Sequence, residues 1–299
     1  MGQPPWRPHI DQGLPLRGDA ASIARDMRIQ IRHDTIYRYE QPVNGVIQTL
    51  RLTPRNHDGQ FVNTWRVDIS ADCPLTRHVD AFGNTTHTFT AEGPLDELVV
   101  HVEGIVEIED TAGVVRGTVE RFPPSLFLRE TPLTTADDAI RDFAAGTSER
   151  DGRLARLHEM LRALNSQITF DTDPTQASTT AAEAFALKRG VCQDISHIFI
   201  AAARSVGIPA RYVSGYFHRA DGVNEQEAGH AWAEAYVPDL GWVAFDPTNG
   251  ISATDAHLRV AVGLDYLSAA PVRGTRYGGS GEELSVQIRV DQAAQQSQN

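Results

Sequence analysis

From residue 27 to about 110, apolar and polar positions alternate in short runs: "MRIQIRH", "TIYRYE", "IQTLRLTP", "TWRVDIS", "HTFTA" and "ELVVHVEGIVEIE". A period of two puts every second side chain on one face of a strand. Turn formers such as "VNG", "HDG" and "FGN" separate the runs. Short strands so punctuated predict an antiparallel sandwich or barrel. The segment "FPPSLFLRETPLT" carries three prolines and reads as a linker.

From 136 the period changes. In "ADDAIRDFAAG" and "RLARLHEMLRALNSQI" apolar residues recur three and four apart, the spacing of a helix face. "TTAAEAFALKRG" opens with Thr180 and Glu183, the pattern of a capping box, and closes on Gly190. Strand patterns return at "ARYVSGYF", "HAWAEAYV" and "GWVAF", the last two forming a hairpin around "PDLG". "ELSVQIRV" is a final strand. This order predicts an α+β protein. The expected divisions are a flexible arm over 1–26, a β-rich domain over 27–121, a linker over 122–135, a core over 136–290 and a disordered tail over 291–299.

Composition narrows the partners. The 299 residues carry a formal net charge of −12. Nucleic acid and anionic membranes both require a basic surface, so neither is expected as a partner. No apolar run approaches the roughly 18 residues of a membrane span. The N-terminus lacks the apolar stretch of a secretory signal. The two cysteines, Cys73 and Cys192, are too few for a disulfide framework. Free thiols fit a reducing, cytoplasmic setting.

One of those cysteines is placed suggestively. In "KRGVCQDISHIFIAAARSVGIPARYVSGY", Ile195, Ile198, Phe199, Ala202 and Val206 form one helical face. The helix therefore starts near Cys192, with Gly190 allowing a sharp turn before it. The positive end of a helix dipole favours a thiolate over a thiol, and the thiolate is the nucleophile. The competing reading is a small buried hydrophobe, the usual fate of a free cysteine.

A second element is "AGHAWAEAYVPDLGWVAFDPTNG". His230, Trp232, Glu234 and Tyr236 share one face of a strand. A four-residue turn at "PDLG" sets Asp246 almost opposite His230, within cross-strand reach. A carboxylate there fixes the imidazole tautomer and stabilises the imidazolium. Taken singly, His230 also fits a satisfied core histidine and Asp246 a turn residue.

At these residues the sequence resembles the transglutaminase-like superfamily of cysteine enzymes. "GVCQD" is similar to its nucleophile motif, "GHAWAEAYV" to its histidine motif and "GWVAFDPTNG" to its aspartate motif, in the same order. "YRYEQPVNGVIQTLRLTPR", "HVDAFGNTTHTF" and "HLRVAVGLDYLSAAPVRGT" resemble segments of a bacterial subgroup with its own N-terminal region. The resemblance implies a papain-like core, in which a helix bearing Cys192 packs on an antiparallel sheet bearing His230 and Asp246. It implies a Cys-His-Asp triad acting on amide or peptide bonds, by hydrolysis or by transfer to an amine. Phe170 stands where such proteins often have a tyrosine, so it supplies no oxyanion donor. No acidic cluster resembles the calcium sites of animal transglutaminases. No cofactor and no metal is expected.

The expected chemistry is attack by Cys192 on the carbonyl of a peptide or protein amide, with His230 protonating the leaving amine and Asp246 orienting His230. The N–H of Cys192 is the first candidate for the oxyanion. Hydrolysis is preferred to glutamine-to-amine transfer, and a fold kept as an inert binding module is the alternative of another class. Other cleft or support candidates are Asp194, which fits the capping of free N–H groups, Gln193, Trp232, which also fits sheet packing, Tyr216 and Arg273. His197 is five residues from Cys192 and lies well round the helix from it, which argues against a shared metal. The acidic loop before His230 favours basic or neutral substrates.

Overall fold

A computed structural model describes residues 27–293. The expected arm over 1–26 and the last six residues of the expected tail lie outside the described residues. The alternating N-terminal runs form β1 (Met27–Thr53), β2 (Gln60–Ile69), β3 (Thr76–Val79) and β4 (Thr85–Ile108), followed by the short β5 (Val114–Val115). The helical patterns form α1 (Asp138–Ala145) and α2 (Gly152–Gln167). Next come β6 (Thr169–Phe170), α3 (Ala181–Leu187), β7 (Arg189–Gly190) and α4 (Cys192–Ser205). The chain continues through β8 (Ala210–Phe217), β9 (Glu225–Gln226), β10 (His230–Val237), β11 (Gly241–Asp246), β12 (Ile251–Ser252) and β13 (His257–Gly263). It closes with α5 (Tyr266–Ala269), β14 (Val272–Tyr277) and β15 (Glu282–Gln292). The α+β class holds, with mostly antiparallel sheets.

The two longest strands, β1 and β4, pair along most of their length with irregularities between Arg38 and Gly45. Beyond those breaks each strand takes different neighbours. The first half of β1 pairs with β15 and its second half with β14. β4 pairs with β3 at its start and with β2 at its end. One cluster, including Val43, Leu50, Phe89, Leu98 and Val102, is made of side chains of β1 and β4 themselves. Ile29, Ile31, Val106, Ile288 and Val290 instead join the main core with Tyr216, Leu258 and Val260. The N-terminal sheet and the core sheet are thus packed together.

That arrangement corrects the expected division of the chain. The expected core and tail take in residues 272–292, yet β14 and β15 hydrogen-bond to β1. The final strand also runs two residues past 290, with Gln292 opposite Ile29, so the expected tail is partly strand. Alternation identifies a strand but not its partner. β5 moves the other way: it falls in the expected N-terminal domain but pairs with β11 of the core sheet.

The core sheet has the order β12-β11-β10-β8-β13. Ala231, Ala233 and Ala235 on β10 are buried with Ile195, Phe199 and Ala202 of α4 in the main core. Small side chains on the strand allow the helix to approach closely. Every residue of α4 from Asp194 to Arg204 is buried, not one face alone, because α1, α2 and α3 pack around it as well. At its far end Arg204 is held by the carbonyls of Phe127, Ala210 and Leu264 and the hydroxyl of Thr134. Among the described residues, no helix is long and apolar enough to cross a membrane.

Candidate active site

The segment before Cys192 is fixed from both sides. α3 starts with the expected capping box: Thr180 N–H donates to Glu183 Oε2 at 2.8 Å and Glu183 N–H to Thr180 Oγ1 at 3.3 Å. It ends earlier than expected, with Lys188 rather than Gly190 closing it in the left-handed conformation (φ 54°). β7 then pairs with β6, and Asp171 N–H donates to the Gly190 carbonyl at 3.0 Å. Gly190 permits a close approach: a Cβ there would stand 2.7 Å from Asp194 Oδ2. Asp194, almost fully buried, accepts the Val191 N–H at 2.9 Å and the Thr175 hydroxyl at 2.7 Å, both on Oδ2. It is thus an N-terminal clasp for α4, and burial pushes its carboxyl pKa up. Gln193 donates to the Ala177 carbonyl at 3.2 Å, on the same loop as Thr175. The outcome is a part-buried Cys192 at the first residue of a rigidly held helix.

His230 begins β10 and Asp246 ends β11. The hairpin register differs from the expected one by two residues. Val237 pairs with Gly241 and Ala233 with Phe245, so Asp246 falls in register with Trp232 rather than with His230. The turn holds three residues, with Asp239 at φ 70° and the Leu240 N–H returning to the Val237 carbonyl. A two-residue slip keeps each side chain on its face. His230 Nε2 still reaches Asp246 Oδ2 at 2.7 Å, along the diagonal.

Asp246 is fully buried and surrounded by donors. Oδ1 accepts the Thr248 and Asn249 N–H groups, each at 3.1 Å. Oδ2 accepts from Asn249 Nδ2 at 2.6 Å besides His230. Burial opposes its ionisation, but the His230 and His257 imidazoles outweigh that and hold its carboxyl well below the usual carboxylate range. The converse holds for His230. Burial disfavours its cation, but the Asp246 carboxylate and the adjoining Cys192 sulfur more than offset this, raising its pKa to about 10. Nε2 is engaged by Asp246, which leaves Nδ1 for the Cys192 side. His230 and Asp246 are therefore held together, and Cys192 opens the helix that packs on the strand bearing His230. This constellation has the parts of a nucleophile, a base and an orienting acid.

Sequence reading missed His257. It opens β13, and its Nε2 lies 3.1 Å from the same Asp246 Oδ2. "HLRVAV" reads as strand, and a histidine inside it carries no signal of its own. A hairpin pattern relates only β10 and β11, whereas β13 reaches the site from the far side of β8. His230, Asp246 and His257 place ligand-type atoms within 4.8 Å of one another. They do not form a donor set for a cation. The Thr254 N–H donates to His257 Nδ1 at 3.1 Å, so His257 Nε2 carries the hydrogen and points it at Asp246.

The remaining candidates separate. Trp232 is buried among Val213, Ala244 and Val262, a sheet-packing residue whose ring centre lies 6.0 Å from that of His230. Tyr216 is not a cleft residue: it is buried between the sheets, with its hydroxyl 2.9 Å from His33 Nδ1. Arg273 is exposed on β14 and donates to the Leu267 carbonyl, and among the described residues it makes no hydrogen bond to the three site residues. His197 Nε2 accepts the Tyr266 N–H at 3.0 Å, which anchors α5. Phe170 pairs with Gly190 and is 46% exposed, so an apolar ring lies on the surface two residues from Cys192.

Known proteins resemble the chain along most of its length. The family model of the transglutaminase-like superfamily matches residues 140–247, and that of the bacterial transglutaminase-like N-terminal region matches residues 29–107. An uncharacterized protein of Mycobacterium leprae is 30% identical over 288 residues, covering 89% of this chain and 99% of its own length. A protein-glutamine gamma-glutamyltransferase of Pseudomonas aeruginosa is 31% identical over 113 residues, which is 32% of this chain and 16% of that protein. Among solved structures, a candidate cysteine protease from Cytophaga hutchinsonii superposes with a TM-score of 0.74 at 16% identity, over 92% of this chain and 93% of its own. That likeness is one of fold.

Proposed function

The chain belongs to the transglutaminase-like superfamily, and from that premise we propose that it hydrolyses amide or peptide bonds through Cys192, His230 and Asp246. The observation that carries this reading is the 2.7 Å contact of His230 with Asp246, on a ring that also adjoins Cys192 at the start of α4.

In this mechanism the Cys192 thiolate attacks the amide carbonyl carbon, and the C=O electrons move onto oxygen. The first N–H groups of a helix have no intrahelical partner, so the Cys192 N–H is free to receive that oxyanion. Collapse expels the amine, which takes its proton from His230, and leaves a thioester on Cys192. Water, deprotonated by His230, then attacks the thioester and releases the acid. Asp246 remains ionised throughout and keeps the imidazolium oriented.

Two likenesses bear on the second half of the reaction. The fold neighbour from Cytophaga hutchinsonii is described as a protease, which favours water as acceptor. The local match to a gamma-glutamyltransferase favours an amine, but it spans only 16% of that protein. The deciding experiment measures acid and ammonia or amine release from a panel of peptides and glutamine amides, with and without a primary amine acceptor. Hydrolysis that needs no acceptor and vanishes in Cys192→Ala supports the proposal. Turnover that occurs only with the acceptor replaces it with transfer. Slow, equal alkylation of Cys192 and Cys73 by iodoacetamide identifies an inert module.

A further inference from the structure

We propose that His257 is a positioning residue for this chemistry: its Nε2–H takes a share of the Asp246 oxygen that holds His230, and so sets how firmly the His230 imidazolium keeps its proton. The inference rests on the reading of Cys192, His230 and Asp246 given above.

The geometry leaves His257 one role. Its ring is buried, with its centre 4.7 Å from that of Phe217 and 5.3 Å from that of Trp232. Nδ1 accepts the Thr254 backbone N–H, which fixes the neutral tautomer with hydrogen on Nε2. That hydrogen points at Asp246 Oδ2, which His230 and the Asn249 side chain share. Asp246 therefore divides one oxygen among three donors. A hydrogen bond to a carboxylate lowers its affinity for any further proton. His257 thus weakens the hold of Asp246 on the His230 cation. His230 must give a proton to a leaving amine, and an imidazolium held too tightly is a poor acid.

The titratable groups facing this cluster are Cys192 from α4, Asp246 from β11 and His257 from β13, with Asp255 and His218 beyond His257. None of these is a second carboxylate against His230 itself. Removing the His257 donor should therefore raise the proton affinity of His230.

The test follows iodoacetamide alkylation of Cys192 against pH, with Cys73→Ser as background so that one thiol reacts. Three variants separate the ring from its donor. His257→Phe keeps an aromatic ring without the N–H, His257→Ala removes both, and His257→Gln restores an N–H. Thermal midpoints identify the folded ones. The expected result is an alkaline transition moved up by about half a pH unit, a threefold change in proton affinity, in Phe or Ala, and returned toward wild type in Gln. A transition unmoved or moved down in a folded Phe or Ala variant overturns the inference, as does a Gln variant that behaves like Phe. A wild-type Cys192 that shows no enhanced alkylation overturns the underlying enzyme reading instead, and the inference with it.

Discussion

The Nδ1 of His33, on β1, lies 2.9 Å from the hydroxyl of Tyr216, on β8. The Thr35 hydroxyl lies 2.9 Å from the other ring nitrogen. Both nitrogens are therefore used inside the contact between the N-terminal sheet and the core sheet. Removing one partner of a buried pair leaves the other unsatisfied, a loss of about 1–3 kcal/mol. Tyr216→Phe should lower the unfolding free energy by that amount in urea titration. Activity per folded molecule should stay near wild type, since the Tyr216 hydroxyl is engaged by His33 and by none of the three site residues.

The same histidine gives stability a dependence on pH. Burial lowers the pKa of His33 to about 4, and does the same for His57 and His197. An unfolded histidine titrates near 6.5. As pH falls below about 6.5 the unfolded chain takes up protons that the folded chain refuses. The contribution of these neutral rings is thus complete above pH 6.5 and lost down to pH 4. His230 has the opposite sign. Its pKa of about 10 gives stability that is full below 6.5 and lost as pH rises toward 10. Unfolding free energy should therefore peak near pH 6.5–7. His197→Gln, which can still accept the Tyr266 N–H, should flatten the acid side. An acid slope unchanged in that variant would remove His197 from the account.

Asp246→Asn tests the tautomer argument. An asparagine nitrogen facing His230 would donate to Nε2, so the hydrogen would move to Nδ1, on the Cys192 side. That ring cannot accept the thiol proton. Steady-state kcat/KM on an amide substrate should fall by about 10²–10⁴, as expected when an orienting carboxylate becomes an amide. That placement sets the nitrogen against the His257 and Asn249 donors, and the alternative sets it against the Thr248 and Asn249 backbone N–H groups, so neither restores the carboxylate's contacts. A loss under tenfold would show that Asp246 acts on His230 only weakly.

How much of this was legible beforehand follows from what each pattern encodes. Period-two alternation identified β1, β2 and β4, and period 3.6 located α4 with Cys192 at its first residue. Neither pattern states which strands pair. The return of β14 and β15 to β1 was invisible for that reason, and Tyr216 looked like a cleft residue because its neighbour across the sheet contact was unknown. Sequence alone did not fix the hairpin register: the turn that forms has three residues, with Asp239 at positive φ, and sets Asp246 opposite Trp232. The slip was even, so the His230–Asp246 contact survived it. His257 was missed because its role depends on β13 lying next to β8, a non-local pairing.

Glu234 lies on the same strand face as His230, four residues along, and is fully buried between two arginines. Arg211 Nε donates to it at 2.6 Å and Arg259 Nε at 2.7 Å, while Glu120 completes the Arg211 pairing at 2.7 Å. Burial opposes the Glu234 charge, but the two guanidiniums outweigh it and lower its pKa to about 2. Glu234→Ala would leave Arg211 fully buried with one exposed-side partner. Breaking a buried pair in this way destabilises by about 3–5 kcal/mol. The urea midpoint should fall accordingly, and more than for Glu120→Ala, whose carboxylate is partly exposed. Equal effects would show that the network is not centred on Glu234.

Asp194 separates a need for charge from a need for hydrogen bonds beside the nucleophile. Its Oδ2 accepts the Val191 N–H and the Thr175 hydroxyl, whereas Oδ1 is buried without a partner among the described residues. An asparagine can present its oxygen to both donors and turn its nitrogen to the Oδ1 side. The clasp on α4 then survives while a negative charge near the Cys192 sulfur is removed. Asp194→Asn should alkylate at Cys192 within about threefold of wild type, since both hydrogen bonds that hold the start of α4 are kept. Asp194→Ala leaves a buried N–H unpaired and should lower stability by about 1–3 kcal/mol. Gly190→Ala should resemble Asp194→Ala, because its Cβ would stand 2.7 Å from the same Oδ2 and drive it off both donors. If Asp194→Asn loses as much alkylation rate as Asp194→Ala at equal folded fraction, the carboxylate charge itself serves the reaction, and Asp194 is more than a clasp.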